Sequence, residues 1–369
     1  MRAYLFLLLA ALVGLGVPPA AEAVNRPARK MIPAITAIDV GAGVEKLQQR
    51  DSLAWMTAQT LVYSGVKTNY ADLCAISGLS ALFMYRFDDP TCAAPSLGRT
   101  EAGRCLARGI EHYGRRLERF QWPQSTTEEE RLAASRMAWE FILDNIARDR
   151  PVLCDYLEGG VLYGYDETQE DPVVFFNTFG PGFGALRRSW FTQAFRREVF
   201  DLACIGGEEP GVTAREMLAA TLANLLVAAD NTGPEGAGSL TAMAALTRDL
   251  LDPARDWSAG AAWLGPLVIR QGEMRLCTAV YLRRNADGLG EAARGLLLAA
   301  ADEYERAAEC WRQYTQVLAL TNGRPDTRPE ASRLADPGRR EAMAGWVHEA
   351  MGHELRGLGA VRQALAVAQ

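Results

Sequence analysis

Histidine is scarce in this chain, which has only 3 histidines among 369 residues. Histidine supplies many of the general bases and metal ligands of proteins, so few positions can take either role. His348 and His353 are five residues apart, a spacing that turns one about 140° away from the other on a helix. One metal ion cannot bind both, and His112 is expected near the exposed end of another helix. We therefore predict no metal ligands and no cofactor.

Three other features are missing, and each excludes a class of protein. The chain has 7 cysteines but no CxxC motif, which argues against the common structural zinc sites. Its 39 basic residues are outnumbered by 45 acidic ones, and a net charge of -6 argues against a nucleic-acid partner. Beyond the N-terminus, every apolar stretch is interrupted by Arg, Glu or Asp, so we expect no transmembrane segment.

The first residues follow the pattern of a secretory signal peptide. Arg2 supplies a positive start, the apolar run from Tyr4 to Val17 follows, and a small-x-small cleavage site ends at Ala23. The apolar run is shorter than the roughly 20 residues that a membrane-spanning helix needs. We predict a signal peptide over residues 1–23, cleavage near Ala23, and export of the chain to the periplasm or the medium.

Cysteines in an exported chain suggest disulfides. An odd number leaves at least one thiol free or paired with another chain. Cys92 and Cys105 flank a loop and are the first candidate pair. Cys277 and Cys310 lie in two predicted helices and are the second.

Residues 24–206 combine helices with short β-like runs. Thr127 and Glu130 form a capping box ahead of an apolar stripe at helical spacing. Three short runs predict strands over 151–157, 161–165 and 173–176, and the aromatic run from Ser77 to Phe87 predicts another. Helices followed by a meander of strands are typical of an α+β domain with a small antiparallel sheet.

The composition changes at Gly206–Gly211, beyond which almost every segment has helical periodicity. Thr213 and Glu216 form a second capping box. We predict a helical domain over 207–320, a polar linker over 321–338 that contains proline, and a C-terminal helix over 339–369.

Four short stretches carry a resemblance to a known family: Asp51–Met56, Ile76–Phe87, Asp149–Leu153 and Gly160–Asp166. They are similar to stretches of the butirosin biosynthesis protein H N-terminal family, which belongs with the C39-like, papain-like cysteine hydrolases. The helical half resembles the region that accompanies this domain in many bacterial relatives. The resemblance implies a papain-like (C39-like) α+β domain followed by an all-α helical bundle.

Such a domain requires a cysteine at a helix N-terminus, a histidine, and an Asp or Asn that holds the imidazole. Here Asp51 and Ser52 begin the helix, and no histidine stands in the strand that starts with Gly159-Gly160-Val161. Asn177 is placed to match the third member. The resemblance thus gives Ser52 and Asn177 as the catalytic candidates and indicates a degenerate site.

The same resemblance predicts which residues line the cleft. We expect Asp51, Trp55, Tyr85, Arg86 and Tyr163 to bind substrate. The leading hypothesis is an exported two-domain protein that lacks a Cys-His pair and binds a small-molecule or peptide ligand, carrying an amide or acyl group, without catalysis.

Two alternatives stay open. The first is an active amide hydrolase or acyltransferase that uses Ser52 or Cys154 as nucleophile, so the sequence leaves open whether the chain is an enzyme. The second is that the helical half binds a protein partner and the first domain serves as a scaffold.

Overall fold

The computed structural model describes residues 26–41, 51–85, 97, 100–123, 127–155, 159–178, 183–197, 201–207, 212–230, 239–317 and 334–368. The predicted signal peptide lies outside these residues. So do Arg86, Cys92 and most of the predicted linker.

Within the described residues, seven strands form one antiparallel sheet in the order β2-β7-β3-β4-β5-β6, and β1 also pairs with β4. β3 and β1 follow one another along the same edge of β4, since Val152 pairs with Leu162 and Lys30 with Tyr165. β4 is buried along its whole length, and helices pack against it. The strands are β1 (Arg29–Met31), β2 (Arg116–Arg119), β3 (Val152–Cys154), β4 (Gly160–Asp166), β5 (Val173–Thr178), β6 (Phe183–Arg187) and β7 (Leu202–Gly206).

Ten α-helices are present in the described part of the chain, so the mixed α+β class with a small antiparallel sheet is confirmed. The first five are α1 (Ser52–Tyr63), α2 (Tyr70–Ile76), α3 (Glu101–His112), α4 (Glu128–Ala147) and α5 (Arg188–Arg197). The second half contains α6 (Ala214–Asp230), α7 (Ser239–Leu251), α8 (Trp257–Arg284), α9 (Glu291–Val317) and α10 (Pro337–Val367). No helix among the described residues has an apolar stretch long enough to cross a membrane.

Side chains cap several helices as the sequence predicted. Thr127 Oγ1 accepts the N–H of Glu130 at 3.2 Å, and Glu130 accepts the N–H of Thr127 at 2.9 Å. Thr213 and Glu216 make the same reciprocal pair ahead of α6. The last helix begins at Pro337, with Asp336 as its cap, two residues before the predicted start.

The strand predicted over Ser77 to Phe87 is wrong for the described residues. Leu79–Ala81 form a 3₁₀ helix that starts after Gly78, whose φ of 77° lies in the left-handed region. The N–H of Phe83 then donates to Ser239 Oγ at 2.8 Å instead of entering a strand ladder. This segment is apolar because it is buried between helices. Periodicity alone cannot distinguish such a buried segment from a buried strand.

The predicted Cys277–Cys310 disulfide is also wrong, because both residues have free thiols. Cys277 packs in the core around the sheet, whereas Cys310 packs in a separate core cluster of the helical half. Cys105 is a free thiol as well, and its predicted partner Cys92 lies outside the described residues.

The two halves share their hydrophobic cores. Met274 and Cys277 of α8 belong to the core that surrounds the sheet. Phe83 packs on Trp311 of α9, with ring centroids 5.2 Å apart. Residues 70–85 thus lie between the sheet half and the helical half, next to the start of α1.

Candidate functional site

Asp51 caps α1 and joins it to the helical half. One carboxylate oxygen, Oδ1, accepts the N–H of Ala54 at 2.9 Å. The other, Oδ2, accepts a hydrogen bond from Arg270 Nη1 of α8 at 2.6 Å. Asp51 is only 5% exposed. A buried carboxylate needs such partners, and here both the helix N-terminus and a cation supply them.

A second connection runs from the same cap to α8. The backbone N–H of Asp51 donates to Tyr70 Oη at 2.8 Å, and the Tyr70 hydroxyl donates to Glu273 Oε1 at 3.0 Å. Glu273 and Arg270 are three residues apart and share one face of α8. Burial, reinforced by the neighbouring Cys74 and Glu273, holds the pKa of Tyr70 well above its usual value. Tyr70 therefore remains a donor. Asp51, Tyr70, Arg270 and Glu273 are called the cap cluster below.

A cavity of about 40 Å³ lies beside the cap cluster. A water molecule needs at least about 10–15 Å³ of such space, so the cavity holds a few waters or a short chain. Its wall combines a charged corner with an apolar surface. The lining residues are Asp51, Arg270 and Gln271 on the polar side, and Leu79, Leu82, Met84, Ala102 and Met274 on the apolar side.

The start of α1 closely approaches the start of β4. Ser52 is the first residue of α1, and Leu53 follows it. A Cβ on Gly159 would lie 2.8 Å from the Cβ of Leu53 and 2.9 Å from its Cα, so only glycine fits here. Gly159 also has a φ of +98°, which L side chains rarely adopt. Trp55, further along α1, is buried with its ring 5.6 Å from that of Tyr70.

Three further candidate residues lie in the sheet next to this helix. Tyr163 is buried in β4. Asn177 in β5 pairs with Val161, while Cys154 in β3 pairs with Gly160. Paired residues share a face of a sheet and successive residues alternate, so Asn177 and Cys154 lie on opposite faces. The sheet therefore does not bring Cys154 and Asn177 together as partners.

Tyr85 is in a different part of the molecule. Its hydroxyl donates to Asp249 Oδ2 of α7 at 3.1 Å, and its ring belongs to the core of the helical half. Met84, its neighbour in the chain, lines the cavity. Arg86 lies outside the described residues. The structure thus brings Asp51, Ser52 and Trp55 together on α1 and places Tyr85 apart from them.

Burial disfavours the thiolate form of four of the cysteines. Burial raises the pKa of Cys105 and Cys204 to about 12, and that of Cys310 to about 11. Burial and a hydrogen bond with Cys277 raise the pKa of Cys74, which lies beside Tyr70. A thiolate is the reactive form of cysteine, and these environments disfavour it.

The three histidines are not among the residues that line the cavity. His112 ends α3, about 15 Å along the helix axis from Ala102 at the cavity, and its side chain is bonded to Asn224. His353 Nδ1 contacts Glu303 at 2.7 Å, and His348 is exposed on the same helix. No imidazole within the described structure is therefore placed to serve the cavity as a base.

Sequence reasoning missed Arg270, Glu273 and Tyr70, which complete the site. One signal was available, because Arg270 directly follows the apolar run 261–269. An arginine next to such a run is expected to be partly buried and therefore to pair with an acidic side chain. The partner itself is 219 residues away, a separation that no local pattern reports.

The chain matches no known protein-family model. It also matches none of the curated proteins.

Proposed function

We propose that this chain is an exported binding protein on a papain-like scaffold, and that it holds a short acyl or amide group in the cavity beside the cap cluster. The observation that carries the proposal is the Asp51–Arg270 pair. At the helix start where a papain-like hydrolase has its nucleophile, this chain has a carboxylate that is already bonded to a cation and to a helix N-terminus.

The composition of the cavity wall indicates the class of ligand. Two methionines, two leucines and an alanine form its apolar side. Methionine adapts its shape to irregular apolar groups, which suits an acyl chain. Arg270 and Gln271 stand at the polar side, where a guanidinium and an amide can bond a carbonyl or carboxylate.

The size of the cavity sets the length of the chain that it accepts. Each methylene that moves from water into an apolar cavity contributes about 0.8 kcal/mol, or about fourfold in affinity. A space of about 40 Å³ is filled by a few heavy atoms. The affinity should therefore rise with acyl length and then stop rising.

A chain-length series tests the proposal. N-acylglycines from acetyl to hexanoyl are titrated into the full chain by calorimetry, and intact ligand is quantified afterwards. We expect binding that strengthens about fourfold for each added methylene up to a limit, with the ligand unchanged. Absence of binding across the series contradicts the proposal. Cleavage that disappears in Ser52→Ala or Cys154→Ala also contradicts it, and would assign hydrolysis to that residue.

A further inference from the structure

Three side chains of different types meet where α9 and α10 pack together. Cys310 projects from α9, and Glu349 and His353 project from α10. One ligand atom from each lies within 4.8 Å of the others. Glu349 and His353 are four residues apart and therefore share a helix face, with Nε2 and Oε1 4.0 Å apart. Thiol, imidazole and carboxylate are the three side-chain ligands that zinc uses.

Glu303 and Arg356 contact the Nδ1 atom of the His353 imidazole. Its Nδ1 lies 2.7 Å from Glu303 Oε2, while Nε2 is the atom nearer Glu349. Arg356 donates to the same Glu303 oxygen at 2.9 Å and also lies 2.6 Å from Nδ1. When Nδ1–H donates a hydrogen bond to this carboxylate, the Nε2 lone pair is available for a metal, as in many metal sites. Arg356 is largely exposed, so its contact with Nδ1 can be lost to solvent.

The charges around the thiol favour a dication. Cys310 is only 4% exposed, and a carboxylate oxygen of Glu349 lies within 4.8 Å of its sulfur. One thiolate and one carboxylate together neutralise a bound divalent ion. The thiol proton leaves to solvent when the metal–sulfur bond forms.

We propose that Cys310, Glu349 and His353 bind one divalent transition-metal ion of the zinc class. Glu303 orients the imidazole, and water completes a tetrahedral set. Tetrahedral zinc places its ligand atoms about 3.5 Å apart, so ligand atoms that lie up to 4.8 Å apart must close in by up to about 1 Å on binding. The side chain of Glu349 is 56% exposed and has room to move toward the other two.

Cobalt(II) is the probe that reports the thiolate directly. The full chain is freed of metal with a chelator and titrated with Co²⁺. We expect one equivalent to produce a thiolate-to-cobalt charge-transfer band in the near ultraviolet, and Zn²⁺ to remove it by displacement. Cys310→Ser should lose the band, and Cys277→Ser, which removes another buried thiol of the helical half, should keep it.

The remaining variants separate ligation from folding. Glu349→Gln alters an exposed side chain and should weaken Zn²⁺ binding at least tenfold without changing the thermal midpoint of the metal-free chain. His353→Gln should also weaken Zn²⁺ binding at least tenfold, whereas His348→Gln, exposed on the same helix, should leave binding unchanged. Glu303→Gln should weaken binding roughly ten- to hundredfold and keep the band. A band that survives Cys310→Ser, no band in the parent chain, or equal losses in His348→Gln and His353→Gln would overturn the proposal.

Discussion

The carboxylate of Asp51 and the guanidinium of Arg270 lie 2.6 Å apart and connect the first turn of α1 to α8 across the boundary between the two halves. Asp51 is nearly inaccessible, whereas a quarter of the Arg270 side chain is exposed. The pair therefore positions the helix start against the cavity and leaves one side of the cation at the cavity wall.

Removal of the cation should destabilise the chain. Arg270→Gln leaves Asp51 buried with its helix N-terminus as partner, and we expect a loss of about 2 kcal/mol. That is less than a fully buried pair loses, since Arg270 is partly solvated. Urea unfolding measures the loss. Arg284→Gln is the matched control. Arg284 is also on α8 and pairs with Asp72 of α2, but it is more exposed than Arg270, so the loss of unfolding free energy should be less than about 1 kcal/mol. Equal losses in the two variants would show that the Asp51 pair has no special structural role.

Substitution in the fully buried ion pair of the helical half should lower the free energy of unfolding much more. Arg275 of α8 bonds Glu354 of α10 through two contacts of 2.7 and 3.1 Å, with both side chains buried. Glu354→Gln leaves the Arg275 charge without its counterion, and we expect a loss of about 3–5 kcal/mol in urea unfolding. The double variant Arg275→Met with Glu354→Leu should recover most of that stability. A loss below about 1 kcal/mol for Glu354→Gln would contradict the burial of this pair.

Gly159 permits the contact between α1 and β4. A methyl group there would meet the backbone of Leu53, and the positive φ adds strain. We expect Gly159→Ala to cost more than about 2 kcal/mol. Gly65→Ala is the control, because Gly65 has a φ of +87° but open space around its Cα, so it incurs only the conformational cost of about 1–2 kcal/mol. Chemical denaturation of both variants isolates the close contact as the difference between them.

The stability of the chain should depend on pH through Glu118. Burial alone would raise the pKa of this carboxyl, but the hydrogen bond and charge of Arg150 outweigh it and hold the pKa below its usual value. A lowered folded-state pKa stabilises the fold above the ordinary glutamate value of about 4.3, and that contribution is lost as the pH falls through the folded value. The loss of unfolding free energy between neutral and acidic pH should be smaller in Glu118→Gln than in the parent chain. Identical pH profiles would exclude this group as a source of acid sensitivity.

Local signals predicted much of the fold. Both capping boxes form, and the last helix begins two residues before its predicted start, because caps and helical periodicity are properties of short segments. The run from Ser77 to Phe87 predicts a strand from its apolar pattern alone, whereas its described residues, up to Tyr85, pack on partners from distant helices.

Only part of the candidate site could be predicted from the sequence, because its residues come from distant parts of the chain. The start of α1 and its Asp51 follow from a resemblance over a few residues. Arg270 and Glu273 reach that helix from the second half of the chain, and only the folded structure brings them there. The spacing of His348 and His353 argues against one metal bound by these two residues on a single helix. It gives no information about Cys310, which comes from another helix.

Ligand binding to an altered cavity tests the central claim most directly. Ala102 lines the cavity from the first turn of α3, and Ala107 lies further along the same helix outside it. Ala102→Leu fills the space, whereas Ala107→Leu adds the same side chain elsewhere. With the tightest-binding N-acylglycine as probe, we expect Ala102→Leu to weaken binding at least tenfold and Ala107→Leu to leave it within twofold of the parent chain. Unchanged binding in Ala102→Leu, or equal losses in both variants, would contradict a ligand site beside the cap cluster.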